Sequence, residues 1–228
     1  MIISTFNIQN DYKNYKKNKS NEIVDYIKNN KIDIIGLQEL PNIYNNELAN
    51  ILNKNYKIYG KYRYKLNVLF QKSNEKNPII TNQKVLKYKT YYLPSFPSYF
   101  KRIMTWIIIS YKGKELSIYN THLEVKNNII KKRQLNKIYK VLSKDNRPKI
   151  LMGDFNITIN NEIFKYFINK LETINIERIN INNKTYKNAK NNLAIDHIFK
   201  TKDINIISSK TVLNLEISDH YPLLIEID

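Results

Sequence analysis

The chain has 228 residues, 42% of them hydrophobic, which suits one well-buried domain over residues 1–228 rather than two. It lacks cysteine, which excludes disulfides and thiolate metal sites. Its 38 Lys and Arg against 20 Asp and Glu leave a net charge of +18, which favours polyanionic partners, nucleic acid ahead of an anionic membrane surface.

A genome biased toward Lys, Asn, Ile and Tyr codons would raise the lysine count, but it would raise Asp and Glu as well and does not alone produce this imbalance. No apolar run approaches the roughly 18 residues needed to span a bilayer. The opening "MIISTFNIQNDYKNYKK" puts its apolar stretch before its charge, the reverse of a secretory leader. The expectation is an intracellular protein, cytoplasmic or nuclear, monomeric and without membrane insertion.

In chain order, "IISTFN" reads as a strand ending at Asn7. Ser20 is a candidate N-cap for a helix over 21–29, where Ile23, Val24 and Ile27 share a face. "IDIIGLQE" is a strand that delivers Gln38 and Glu39, and Pro41 can open a second helix carrying Leu48, Ile51 and Leu52. "NVLFQ" reads as a strand, and "KYRYK" and "KYKTYYLPSF" alternate tyrosine with lysine as a surface that stacks bases would. "MTWIIISY" and "LSIYNTH" are further strands, the second ending at Asn120 and His122. Residues 129–142 place Ile130, Gln134, Ile138 and Val141 on one helical side, and 161–171 carry another apolar stripe. "KILMGDFN" lies between them, and "AIDHIF", "INIISSKTVL" and "PLLIEI" close the chain. Many strands with helices only at intervals argue for a mixed α/β sandwich rather than a strict βαβ repeat.

Four apolar runs thus each deliver polar groups just past their C-terminal ends: Asn7, Glu39, Asn120 with His122, and Asp154 with Asn156. "SDH" places Asp219 and His220 before the last strand, which reaches the same rim if it runs antiparallel to its neighbours. Singly, each is an ordinary turn or cap residue. Together they repeat one arrangement, and Gly36 and Gly153, two of only four glycines, precede two of these exits. Asp154 and Asn156, two apart, would face one side of an extended segment. Oxygen donors without thiolates (Asn7, Glu39, Asp154, Asn156, Asp219) favour Mg²⁺ or Mn²⁺ over zinc. Carboxylates, a divalent cation and histidine suit hydrolysis at phosphorus. No G-x-S-x-G nucleophile setting, P-loop or dinucleotide fingerprint is present.

"TFNIQ", "GLQEL", "YNTHLE", "GDFN", "IDHIF" and "SDHYPL", in this order over nearly the whole chain, resemble the endonuclease/exonuclease/phosphatase superfamily of metal-dependent phosphoesterases. The resemblance implies a four-layer α/β sandwich, two packed mixed β-sheets flanked by helices. It implies that Glu39 is the principal Mg²⁺ ligand, with Asn7 and Asp219 near the same ion and Mn²⁺ as a possible substitute. His220 would be the general base or phosphate-stabilising histidine, oriented by Asp196. Asp154 and Asn156 would position the attacking water, while His122, Arg102 and Asn120 would contact phosphate or substrate. His197 would be structural, facing away from Asp196 on its strand. The implied activity is a Mg²⁺-dependent phosphodiesterase on nucleic acid, DNA first, in end-processing or repair, of the tyrosyl-DNA phosphodiesterase kind. The alternative is a phosphoesterase on phospholipid or inositol phosphate.

Overall fold

The computed structural model describes residues 1–10, 19–52, 55–64, 74–98, 100–181, 184–187 and 193–228. In chain order these form β1 (Ile2–Asn7), α1 (Lys19–Asn29), β2 (Ile34–Gln38), β3 (Leu40–Pro41), α2 (Asn42–Leu52), β4 (Lys57–Tyr59), β5 (Glu75–Lys76), β6 (Ile79–Thr81) and β7 (Val85–Leu93). There follow β8 (Arg102–Tyr111), β9 (Lys114–His122), α3 (Asn128–Leu142), β10 (Lys149–Asp154), α4 (Glu162–Glu172), β11 (Ile176–Arg178), β12 (Asp196–Thr201), β13 (Ile206–Thr211) and β14 (Leu223–Ile227). No helix among them is long and apolar enough to cross a membrane.

Two mixed sheets carry the fold, one in the order β13-β14-β1-β2-β6-β4 and one in the order β11-β12-β10-β9-β8-β7. Alternation along each strand divides its residues between two cores. Ile3, Ile34, Ile118, Ile150, Ile198 and Ile225 fill the space between the sheets. On the outer face of the first sheet, Phe6, Ile35 and Leu37 pack under α1 and α2 through Ile23, Ile27, Tyr44 and Leu48. On the outer face of the second, Tyr119, Leu151 and Phe199 pack under α3 and α4 through Leu135, Ile138, Phe164 and Phe167. The result is the expected four-layer sandwich. Beta-branched isoleucine dominates the inter-sheet layer, as suits a pleated surface.

Local signals explain most boundaries. Asn127 caps α3 by accepting from the N–H groups of Ile129 and Ile130, and Asn161 caps α4 by accepting from Ile163 N–H. Ser20 departs from its expected role. It lies inside α1, buried, and its hydroxyl donates to Glu47 Oε2 on α2 at 2.5 Å, so it ties two helices together instead of opening one. The "NVLFQ" stretch lies outside the described residues.

Candidate active site

The inter-sheet layer is apolar along most of its length and turns polar at one end. Along β1, Ile3 is followed by Thr5 and Asn7; along β9, Ile118 by Asn120 and His122; along β10, Ile150 and Met152 by Asp154. β1 pairs parallel with β2 and β9 parallel with β10, so each pair ends together. β14 runs antiparallel to β1 and β12 antiparallel to β10, which brings the segment before Leu223 and the start of β12 to the same rim. Asp154 sits opposite His122 on one side and Asp196 on the other.

Asp154 Oδ2 is the hub. It accepts from Asn7 Nδ2 at 2.9 Å and lies 3.5 Å from His122 Nε2 and 3.8 Å from His220 Nε2. Asn7 Nδ2 also donates to Glu39 Oε1 at 3.1 Å, and Glu39 Oε1 lies 3.8 Å from His122 Nε2. His220 Nδ1 is 2.9 Å from Asp196 Oδ2, an arrangement that fixes the ring and turns Nε2 toward Asp154. Ser218 Oγ holds the loop by donating to Asn7 O at 2.6 Å and accepting from His220 N–H at 3.1 Å. Arg102 Nη1 donates to the His122 ring, 3.0 Å from Nδ1 and 3.1 Å from Nε2.

The electrostatics divide these groups. Burial, and then the negative charge of Asp196, push Asp154 up to about 7, while His220 and the Asn7 bond oppose the rise. Burial works against the charged form of His220, but Asp196 first, then Asp154 and Asp219, outweigh it and raise the ring to about 10. His122 moves the other way, held well below the usual histidine range by burial and by Arg102, Arg63 and His220. It is therefore a neutral ring beside a charged one.

Backbone conformation is unusual at the rim. Glu39 (φ 60), Gln9 (φ 55) and Asn156 (φ 51) all occupy the left-handed region, which carries strain for residues with a side chain. Gly153 (φ +144) shows why no other residue serves there. A Cβ would stand 2.0 Å from Thr121 O on the adjoining strand, so glycine is required by close approach of β9.

Most of the candidate residues meet at this rim, with two qualifications. Asn120 does not line the cleft. Its Nδ2 donates to Leu37 O and Pro78 O at 2.8 Å each, and its Oδ1 accepts from Gln38 Nε2 at 2.6 Å. It stitches the sheets together beneath the site, which corrects its expected contact with substrate. Asn156 reaches Asp154 through its backbone, its N–H donating to Asp154 Oδ1 at 2.8 Å, while its side-chain amide donates to Leu123 O at 3.2 Å. His197 faces the opposite side of β12, as expected, and its Nε2–H donates to Ile157 O at 2.8 Å.

Several cleft residues escaped sequence reasoning. Arg63 forms an ion pair with Glu75, Glu75 Oε1 accepts from Asn10 Nδ2 at 2.6 Å, and Asn10 N–H donates to Glu39 Oε2 at 2.9 Å. Lys131 Nζ supports the Asp154 loop by donating to Asn156 O at 2.7 Å. The available signal was scarcity, since only five of the 38 basic residues are arginine and two of those five line this cleft. Of the tyrosines expected to stack bases, Tyr91 packs on Trp106 and Tyr88 on Tyr59, while Lys76 Nζ covers the Tyr62 ring.

The donors fit a hard divalent cation. Glu39 and Asp219 offer carboxylate oxygens, and Asn7 adds an amide oxygen that here accepts from Gln9 N–H at 2.9 Å. Burial raises Asp219 from the ordinary carboxylate range and the nearby Glu39 charge adds to it, a repulsion that a cation would relieve. Asp154, Asp196 and His220 also bring ligand atoms within 4.8 Å of one another. A metal there would disturb the Asp196–His220 contact at 2.9 Å, so the Glu39 side suits the ion better.

Comparison with known proteins agrees with this geometry. No curated protein matches the sequence. Among solved structures, the mannosyl-6-phosphatase of Bacteroides thetaiotaomicron superimposes with a TM-score of 0.80 at 17% identity, covering 100% of this chain and 99% of that one. The human Nocturnin catalytic domain with bound sulfate anion gives 0.80 at 17% identity, over 100% and 93%. D. rerio TDP2 complexed with single-strand DNA product gives 0.74 at 13% identity, over 100% and 98%. These likenesses establish the fold. The sequence profile of the Endonuclease/Exonuclease/phosphatase family matches residues 4–220, from β1 to His220, and the chain belongs to that family of metal-dependent phosphoester hydrolases.

Proposed function

We propose that this chain hydrolyses phosphodiester bonds of nucleic acid, DNA first, with Mg²⁺ as its metal and Mn²⁺ as a substitute, and that it processes ends. The observation that carries this reading is Asp154 Oδ2, bonded to Asn7 Nδ2 at 2.9 Å with His122 Nε2 and His220 Nε2 at 3.5 and 3.8 Å. Glu39, Asn7 and Asp219 would hold the metal, which when bound neutralises phosphoryl and leaving-group charge. Asp154, steadied by Asn7 and the Asn156 backbone, orients a water. Asp154 Oδ2 takes up its proton, while the charged His220 ring, held by Asp196 at Nδ1, donates from Nε2 to a phosphoryl oxygen. His122 and Arg102 contact the scissile phosphate. The net charge of +18 supports a polyanionic substrate, as does the fold shared with TDP2.

The test is Mg²⁺-dependent cleavage of labelled oligonucleotides (single and double strands, an abasic site, a 5′-phosphotyrosyl end) by wild type and Asp154→Ala. Cleavage lost with chelator and in the variant is expected. A folded, metal-loaded protein that cleaves no oligonucleotide would overturn the nucleic-acid reading. A second reading, a small phosphorylated ligand such as a sugar or inositol phosphate, draws support from the fold shared with the mannosyl-6-phosphatase and from the small volume, about 370 Å³, of the cleft beside Glu39.

A further inference from the structure

We propose that Arg63, aligned by Glu75, is a second phosphate-binding arginine of this cleft and selects phosphoryl groups carrying two negative charges, those at a chain end or on a monoester. The proposal rests on the phosphoester-hydrolase reading and, since no diester carries two charges, bears on terminal phosphates and on the small phosphorylated ligands of the second reading rather than on internal diesters.

The cleft is lined by Glu39, Arg63, Glu75, Phe100, Arg102 and Glu124 among others. Both arginines are nearly buried, at 6% and 8% exposure. Their surroundings differ. Arg63 is braced twice by Glu75: its backbone N–H donates to Glu75 O at 3.0 Å and its guanidinium pairs with the Glu75 carboxylate, which is itself linked through Asn10 to Glu39. Arg102 rests on the His122 ring, its Nε is buried without a partner, and no carboxylate among the described residues lies within 4.0 Å of it. One desolvated guanidinium is thus held by a carboxylate while the other is left without a directly bonded counter-ion.

Each also feels the other. Burial, and then the charge of Arg102, bring Arg63 down to about 10. Two like charges taken out of water side by side are unfavourable unless an anion joins them. A phosphoryl group does this well, because guanidinium forks match pairs of its oxygens.

Oxygen count then separates substrates. An internal diester offers two non-bridging oxygens and one charge, which a metal held by Glu39 and the Arg102–His122 pair would satisfy. A terminal phosphoryl group has three such oxygens and up to two charges, and the additional oxygen needs a further donor. Arg63, on the wall of the same cleft, is a donor available to it. Exposed Phe100 and Val125 at the same cleft offer apolar surface for the organic part of the ester.

The alternative is an Arg63–Glu75 pair that merely fastens the segment around residue 63 to β5. The two are separated by comparing 4-nitrophenyl phosphate with bis(4-nitrophenyl) phosphate, which share a leaving group, in Mg²⁺. Wild type, Arg63→Gln, Arg63→Lys and Glu75→Gln would be assayed, with calorimetric titration of inorganic phosphate alongside. In Arg63→Gln the monoester-to-diester ratio of kcat/KM should fall about tenfold, as loss of a charge-assisted hydrogen bond implies, chiefly through KM. Phosphate affinity should fall by a similar factor. Arg63→Lys should recover part of both, and Glu75→Gln should show a smaller loss in the same direction.

Equal losses on both esters, or unchanged phosphate affinity in folded Arg63→Gln, would overturn the proposal. If Arg63→Gln fails to fold, the same ratio in Arg63→Lys and Glu75→Gln decides. If wild type hydrolyses neither ester, phosphate affinity alone decides the role of Arg63, and it is the hydrolase reading of these substrates that fails.

Discussion

Asp196 and His197 are neighbours on β12, yet they serve regions of opposite character. Asp196 faces the inter-sheet side and holds His220 Nδ1 at 2.9 Å, in a cluster where carboxylates outnumber cations and the imidazole is raised to about 10. His197 faces the outer layer, between Phe155 at 5.7 Å and Phe164 at 4.7 Å between ring centroids, and is lowered to about 4. Both histidines are buried. What separates them is the partner, a carboxylate for His220 and a backbone carbonyl for His197. Burial disfavours the imidazolium in either place, and only a nearby anion reverses it. A buried histidine therefore signals chemistry only when its ring nitrogen meets a charge.

The comparison breaks most visibly at its catalytic side. Asp154→Asn keeps the shape of the hub and removes its charge. Hydrolysis should fall by about 10³-fold or more. Thermal stability should hold or rise, since the buried carboxylate is already strained toward its protonated form. Turnover in Mg²⁺ and melting curves on the same preparation check both. A large stability loss with modest loss of turnover would make Asp154 a structural residue.

His197→Ala should do the reverse. It removes the donor to Ile157 O and opens space among Phe155, Phe164 and Phe199, which should cost about 2–4 kcal/mol. Turnover per folded molecule should stay close to wild type, as urea unfolding combined with assay would report.

The same residue makes a prediction about pH. Its folded value of about 4 lies below the ordinary 6.5, through burial first and then the Arg178 charge, with the Ile157 bond and Asp196 opposing. Below 6.5 the unfolded chain binds the proton before the folded one does. Stability is therefore present above 6.5 and is lost as pH falls toward 4, by about 3 kcal/mol in all. Other groups titrate over this range, so the measurement is the difference between wild type and His197→Gln, which keeps a donor for Ile157 O. Identical pH profiles would mean that His197 takes up its proton as readily in the folded protein as in the unfolded chain.

Much of this was legible beforehand because strands alternate and the polar residues stand at strand ends. Asn7, Glu39, His122, Asp154 and His220 stand at strand ends and meet at one rim, where the antiparallel β14 brings His220. Alternation also separated His197 from Asp196. It could not separate Asn120 from His122, since both share a face of β9, and only the second sheet decides that the Asn120 amide is taken up by Leu37 and Pro78. Arg63 and Glu75 were hidden for another reason. They stand on short segments with weak periodicity, whose strand pairing with each other amounts to an isolated β-bridge between Tyr62 and Lys76. β7 alternates tyrosine with lysine and, as a sheet edge with largely exposed residues, carries little hydrophobic pattern to mark it as a strand.

Gly36 tests the ground between the two regions, where structure supports chemistry without taking part in it. A Cβ at this position would stand 2.7 Å from Asn120 Cγ and Oδ1 and 2.8 Å from Met152 Cε. Met152 can yield, since its terminal methyl is flexible. Asn120 cannot move as freely, because three hydrogen bonds hold its amide across the sheets. Gly36→Ala should therefore cost about 1–2 kcal/mol through overpacking. It should also lower kcat several-fold, because Asn120 and His122 share one strand face and a shift of the first displaces the second. The Asp154→Asn effect falls on turnover and the His197→Ala effect on stability, whereas Gly36→Ala should move both modestly and together. Stability lost with kcat intact would mean that the sheets can part at Asn120 without disturbing His122, and that the site is held from the strand ends alone.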